Sequence, residues 1–189
     1  MHIRKIALGI SISLILIMFT TSCNDNSVSV NGIQQNLIQN SSFELNGQPT
    51  LSSWIVDTMW VKVVQDAPIG GGQWSIHVTA PWIPLGEGAT AYVTGQSGVG
   101  VYRLSASVKP IIMDGQLSLG LWKNGYPTDV KIASRTRTDS MGWDQVTLLD
   151  TLTLHPTDSM WVHFSVNCCM ARIPPDQARL DLVTLERIQ

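Results

Sequence analysis

The imidazoles available for proton transfer or metal ligation are His2, His77, His155 and His163, and none falls in an HExxH spacing or beside a serine or cysteine nucleophile motif. Glycoside cleavage would need two carboxylates on opposite sides of one sugar bond. Acidic residues such as Asp57, Asp66, Asp129, Asp139 and Asp158 mostly sit at turn-like positions instead, where aspartate is favoured for its backbone hydrogen bonds. Turn chemistry explains them without a site, so the chain is read as non-catalytic.

Stacking is the chemistry that the composition does offer. Seven tryptophans stand against three phenylalanines and three tyrosines. Leu117, Leu119 and Leu121 alternate with Ser118, Gly120 and Trp122, while Met160, Val162, Phe164 and Val166 alternate with Ser159, Trp161, His163 and Ser165. Trp122 and Trp161 therefore belong on the outer faces of their strands, and Trp60 falls on the outer phase in the same way. An exposed tryptophan on a sheet calls for a cover. The apolar CH faces of sugar rings supply one, with polar neighbours for the hydroxyls. Lys62, Lys123, Asn124, Arg103 and His163 are candidate neighbours. A loop such as Ala80–Glu87, which contains Trp82, or another subunit would serve as cover equally well.

These residues need strands to hold them. Tyr102–Lys109 alternates as Leu117–Trp122 does, and Lys123-Asn124-Gly125 supplies a hairpin turn. Further strands are expected over Trp60–Val64, Gln73–Thr79, Ala89–Thr94, Val130–Ser134, Trp143–Leu154 and Arg179–Arg187. No helical stripe of useful length interrupts them. The fold class is therefore all-β, a two-sheet antiparallel β-sandwich.

The N-terminus reads differently. Arg4 and Lys5 precede an uncharged apolar run, Ile6–Phe19, that ends in Thr20, Thr21 and Ser22, which is export-signal architecture. The run is short for a membrane span, which needs about twenty residues. The tripeptide before Cys23 resembles a bacterial lipobox, although Thr20 stands where leucine is usual. The expectation is a signal peptide over 1–22, a lipidated Cys23 heading a flexible tether over 23–35, and one domain over 36–189, at the bacterial outer membrane or cell surface. An ordinary signal peptide with an incidental cysteine is the alternative. Cys168 and Cys169 have no zinc spacing; they are either two thiols on opposite strand faces or a vicinal disulfide. A formal net charge of −2 without a basic stripe argues against nucleic acid as a partner.

Five blocks carry a family resemblance. Asn36-Leu37-Ile38-Gln39-Asn40-Ser41-Ser42-Phe43-Glu44 with Trp54 resembles the opening of carbohydrate-binding modules of families 4, 9 and 22, which are jelly rolls of the galactose-binding-domain-like type. Gly72–Val78, Tyr102–Lys109, Gly142–Val146 and Leu180–Leu185 resemble the later blocks in order, with Ser41 where glycine is usual. The resemblance implies core packing for Trp54, Trp74 and Trp143. It also implies a structural calcium held by Glu44 and Asp181, with backbone carbonyls near Asn40 and Gly70–Gly72 completing the contacts. Solvated turn carboxylates are the alternative for that pair.

Two functions follow from different classes. One is a surface lipoprotein that binds carbohydrate through Trp122 and Trp161, with Trp60 and the polar neighbours beside them. The other is a structural or adhesion subunit whose outer-face tryptophans dock a protein partner. Parallel aromatic walls would favour the first and a flat apolar patch the second.

Overall fold

A computed structural model describes residues 35–80, 88–112, 114–135, 142–166 and 176–189. The leader, Cys23, the tether up to residue 34, Trp82, Cys168 and Cys169 lie outside the described residues.

Among the described residues, twelve strands follow in chain order: β1 (Glu44–Leu45), β2 (Gln48–Pro49), β3 (Ile55–Val56), β4 (Val61–Val64), β5 (Ser75–Ala80), β6 (Gly88–Val93), β7 (Gly98–Pro110), β8 (Gly115–Lys123), β9 (Tyr126–Arg135), β10 (Asp144–Leu154), β11 (Ser159–Val166) and β12 (Asp176–Arg187). They form two five-stranded antiparallel sheets, ordered β10-β7-β12-β5-β4 and β3-β6-β11-β8-β9, while β1 and β2 pair with each other. Hereafter these are the β7 sheet and the β8 sheet. The nine strands expected from alternation are all present; the two-residue pieces β1, β2 and β3 are additional.

Alternation decides what is buried. Leu104, Ala106 and Val108 of β7 and Leu180 and Leu185 of β12 point inward from the β7 sheet. They meet Leu117, Leu119 and Leu121 of β8 and Met160, Val162 and Phe164 of β11, all essentially without solvent contact. Each Leu, Val, Met or Phe side chain among them contributes about 1.5 to 3 kcal/mol by leaving water. The β8–β9 hairpin closes through Asn124 (φ 52°) and Gly125 (φ 88°), the left-handed pair that a two-residue type I′ turn requires.

The opening segment is fastened to the last strand. The ladder of β12 with β7 shifts register between Asp181 and Thr184, where Leu182 takes φ 50°. That irregularity frees backbone groups, and the N-terminal segment takes them up. Asn36 Oδ1 accepts from Leu185 N at 2.9 Å, Asn36 Nδ2 donates to Val183 O at 3.1 Å, and Val183 N donates to Ser41 O at 2.9 Å. Asp181 is thereby set under the turn that follows β4.

Candidate functional site

The outer face of the β8 sheet gathers the aromatic residues. Cross-strand register sets Trp161 of β11 between Tyr92 of β6 and Gly120 of β8, and sets Ser159 against Trp122. Trp122 and Trp161 both project outward and are half-buried. Tyr92 meets Trp122 edge-on, with ring centroids 5.2 Å apart at 71°. Trp161 stacks on His163 two residues along, at 5.0 Å and 10°. His163 is itself fixed, with Nδ1 2.9 Å from Thr90 Oγ1. Burial without a compensating anion lowers its pKa to about 4, so at neutral pH the ring under Trp161 is an uncharged aromatic slab. Val130 leans over Gly120, and Ile132 stands exposed beside Ser118.

Of the residues singled out from the sequence, Trp122, Trp161 and His163 share this face. The others do not. Asn124 forms the hairpin tip, and Lys123, on the inward phase at the strand end, pairs with Asp158 at 3.6 Å. Arg103 lies on the outer face of the β7 sheet, where it forms a salt bridge with Glu186 at 2.6 Å. Trp60 is half-buried in the turn before β4, where its carbonyl accepts from Thr79 N. The period-two phase says which residues face outward but not from which sheet, so Arg103 and Trp60 belong to the opposite side of the sandwich. Trp54 packs on Phe43 in the core as expected, with ring centroids 5.1 Å apart. Trp74 and Trp143 are only half-buried, because each precedes its strand by one residue instead of pointing inward from it. Tyr92 was missing from the candidates, although Ala89, Ala91 and Val93 on the inward phase mark it as outward-facing.

A second constellation lies at the β7 sheet. Asp181 is fully buried; its Oδ1 accepts from Leu182 N at 2.8 Å, and its Oδ2 has no hydrogen-bond partner among the described residues. Glu44 Oε2 accepts from Gln73 N at 2.9 Å. A Cβ on Gly71 would collide with Asp181 Oδ2, and one on Gly72 would collide with Glu44 Oε1, so the glycine turn is pressed against both carboxylates. Burial pushes the Asp181 carboxyl up to about 8, opposed by the Leu182 N–H and reinforced by the Glu44 charge. A buried carboxylate with an orphaned oxygen, facing the same glycine turn as a half-buried one, fits a hard cation with oxygen ligands. No group of three or more His, Cys, Asp or Glu gathers among the described residues, so backbone carbonyls would complete the set. The carbonyl of Asn40 accepts from Trp54 Nε1 and keeps a second lone pair, so it and the carbonyls of the glycine turn are both candidates.

No protein-family model matches the sequence, and no curated protein matches it. Solved structures do. The chain is similar to the CBM22-1 xylan-binding domain of Xyn10C from Paenibacillus barcinonensis, at 17% identity over 82% of this chain and 96% of that one, with TM-score 0.55. It is similar to TmCBM61, solved in complex with beta-1,4-galactotriose, at 17% identity over 82% and 99%, with TM-score 0.51. It also resembles the enzymatically active domain of bacteriophage CBA120 tailspike protein 4, at 14% identity and TM-score 0.58, covering 81% of this chain but 21% of that one. The described domain has the jelly-roll β-sandwich fold of carbohydrate-binding modules.

Proposed function

We propose that this protein is a non-catalytic carbohydrate-binding module whose ligand lies on the outer face of the β8 sheet. The observation that carries the reading is the convergence of Tyr92, Trp122 and Trp161 on one face that also carries Thr90, Gln116, Ser159 and Ser165. Aromatic surface stacks on sugar CH groups while hydroxyl and amide side chains take the sugar hydroxyls. Retardation of the full-length protein in gels containing soluble xylan or galactan tests it, and unretarded migration in a broad polysaccharide panel would refute it.

One observation favours a second reading, a docking face for a protein partner. Tyr92 and Trp122 meet edge-on instead of forming parallel walls, and exposed Ile55, Val130 and Ile132 widen the apolar surface. That reading predicts no glycan affinity and a stoichiometric protein complex lost in Trp122→Ala.

The Glu44–Asp181 site is assigned a structural calcium. It would link the two ends of the domain, without a part in ligand chemistry. Lipid on Cys23 would hold the protein at the bacterial cell envelope. Labelling cells with a clickable fatty acid should mark the wild type and leave Cys23→Ala unlabelled and soluble; label on the variant would overturn the anchor.

A further inference from the structure

A cavity of about 510 Å³ opens beside the aromatic face, between the N-terminal segment, β3 and β6. Buried Trp54 and half-buried Leu37 line it, and exposed Ile55, Gln39, Ser53 and Thr94 stand around it. None of its lining residues is charged. Tyr92 also lines it, and the same ring meets Trp122 edge-on, so the cavity and the aromatic face share a wall.

Three features suit this cavity to a sugar. The strand β3 pairs with β6 only at Ala89 and Thr90, so among the described residues no strand pairs with that edge over Ala91–Val93. Backbone polar groups there are left without a strand partner among the described residues, and a ligand can use them. Gln39 Oε1 accepts from Ser53 Oγ at 3.2 Å, which leaves the Gln39 amide NH₂ to donate into the cavity. Ser53 is held at φ 69°, a left-handed conformation uncommon outside glycine, in the segment that forms the rim.

Charge is distributed to match. Lys62, Arg103, Lys109, Arg179 and Glu186 all belong to the β7 sheet. The cavity at the β9–β10 edge, also about 510 Å³, is lined by Lys123, Lys131, Asp129 and Asp150. The outward positions of β6, β8 and β11 carry no ionised side chain, His163 being neutral at physiological pH.

We propose that the cavity beside Tyr92 is a second sugar subsite, contiguous with the Trp122–Trp161 face, and that the ligand is an uncharged oligosaccharide running across the strands from β3 to β8. This rests on the sugar-binding reading above and adds the length and charge of the ligand. Three inter-strand steps separate β3 from β8, a span of about 14 Å, which is more than one sugar ring can bridge.

Calorimetry on the full-length protein tests it, with β-1,4-linked xylo- and galacto-oligosaccharides from disaccharide to hexasaccharide and with oligogalacturonate as the acidic control. Affinity in the wild type should rise with chain length. Gln39→Ala should lose about tenfold for the longest neutral chain, the size of one or two hydrogen bonds, while leaving the disaccharide unchanged. Thr94→Lys, at an exposed rim position, should repeat that pattern with an unaltered melting temperature. Trp161→Ala should weaken every length. Affinity independent of length, or rim variants equal to wild type on the hexasaccharide, would overturn the subsite while leaving the aromatic face intact. Preference for oligogalacturonate would overturn the uncharged ligand. No binding by wild type to any probe would overturn the sugar reading along with it.

Discussion

Trp161 has one ring face already occupied, because His163 lies parallel beneath it, anchored in turn by Thr90. On the proposed reading a sugar would stack on the other face, with the ring held for it in advance, which would lower the ordering cost of binding. Trp161→Ala and Trp122→Ala should each weaken glycan binding by about 2 kcal/mol, roughly thirtyfold, with small changes in melting temperature, as read by calorimetry and thermal denaturation. Core tryptophans would behave oppositely and lose about 3 to 5 kcal/mol of stability. His163 adds a pH dependence whose sign is fixed by its depressed pKa. The unfolded imidazole takes up its proton near 6.5 and the folded one only near 4. Its contribution is thus complete above pH 6.5 and is lost as pH falls towards 4. The full effect is about 3 kcal/mol on the scale of 1.4 kcal/mol per pKa unit. Urea unfolding at pH 7 and pH 4 should show a smaller acid loss in His163→Gln than in wild type; equal losses would place the titration elsewhere.

Among the strands, β6, β8 and β11 do most to build the face, and the β8–β9 hairpin that brings β9 alongside hangs on a short turn. Gly125 sits at φ 88°, where a side chain is strained, so Gly125→Ala should cost about 1 kcal/mol in urea unfolding. Glycan affinity should persist, because Asn124 and Gly125 are exposed at the hairpin tip. The hairpin was legible in the sequence because Asn-Gly between alternating runs has a local cause, and the burial phases of β7, β8 and β11 were legible for the same reason. Sheet membership was not. Whether Arg103 and Trp122 share a side depends on strand order, which no local pattern encodes, and here β7 and β8 lie in different sheets. Strand ends were also beyond reach of alternation, as Trp74 and Trp143 show. The cavity beside Tyr92 was invisible for a further reason: it exists because β3 stops after two residues and leaves part of the β6 edge uncovered.

At the scale of the described domain, the opening segment and the last strand meet at the Glu44–Asp181 pair. A cation there would act as a non-covalent staple on a long loop, favouring the folded state because the unfolded chain holds no such site. At a hundredfold excess over its dissociation constant, calcium should stabilise the protein by about 2.7 kcal/mol, and a chelator should lower the melting temperature accordingly. Asp181→Asn separates this from a general salt effect, because its effect should depend on calcium. With calcium present the variant should melt earlier than wild type, since a carboxylate ligand is lost. With chelator present it should melt no earlier, since the substitution removes a carboxyl whose ionised form is buried without a partner for Oδ2. Gly71→Ala should abolish the calcium response as well, because its Cβ would enter the space against Asp181 Oδ2. A wild-type melting temperature indifferent to chelator, together with an Asp181→Asn protein that is less stable in both conditions, would show the pair to be held by hydrogen bonds alone and would remove calcium from the domain.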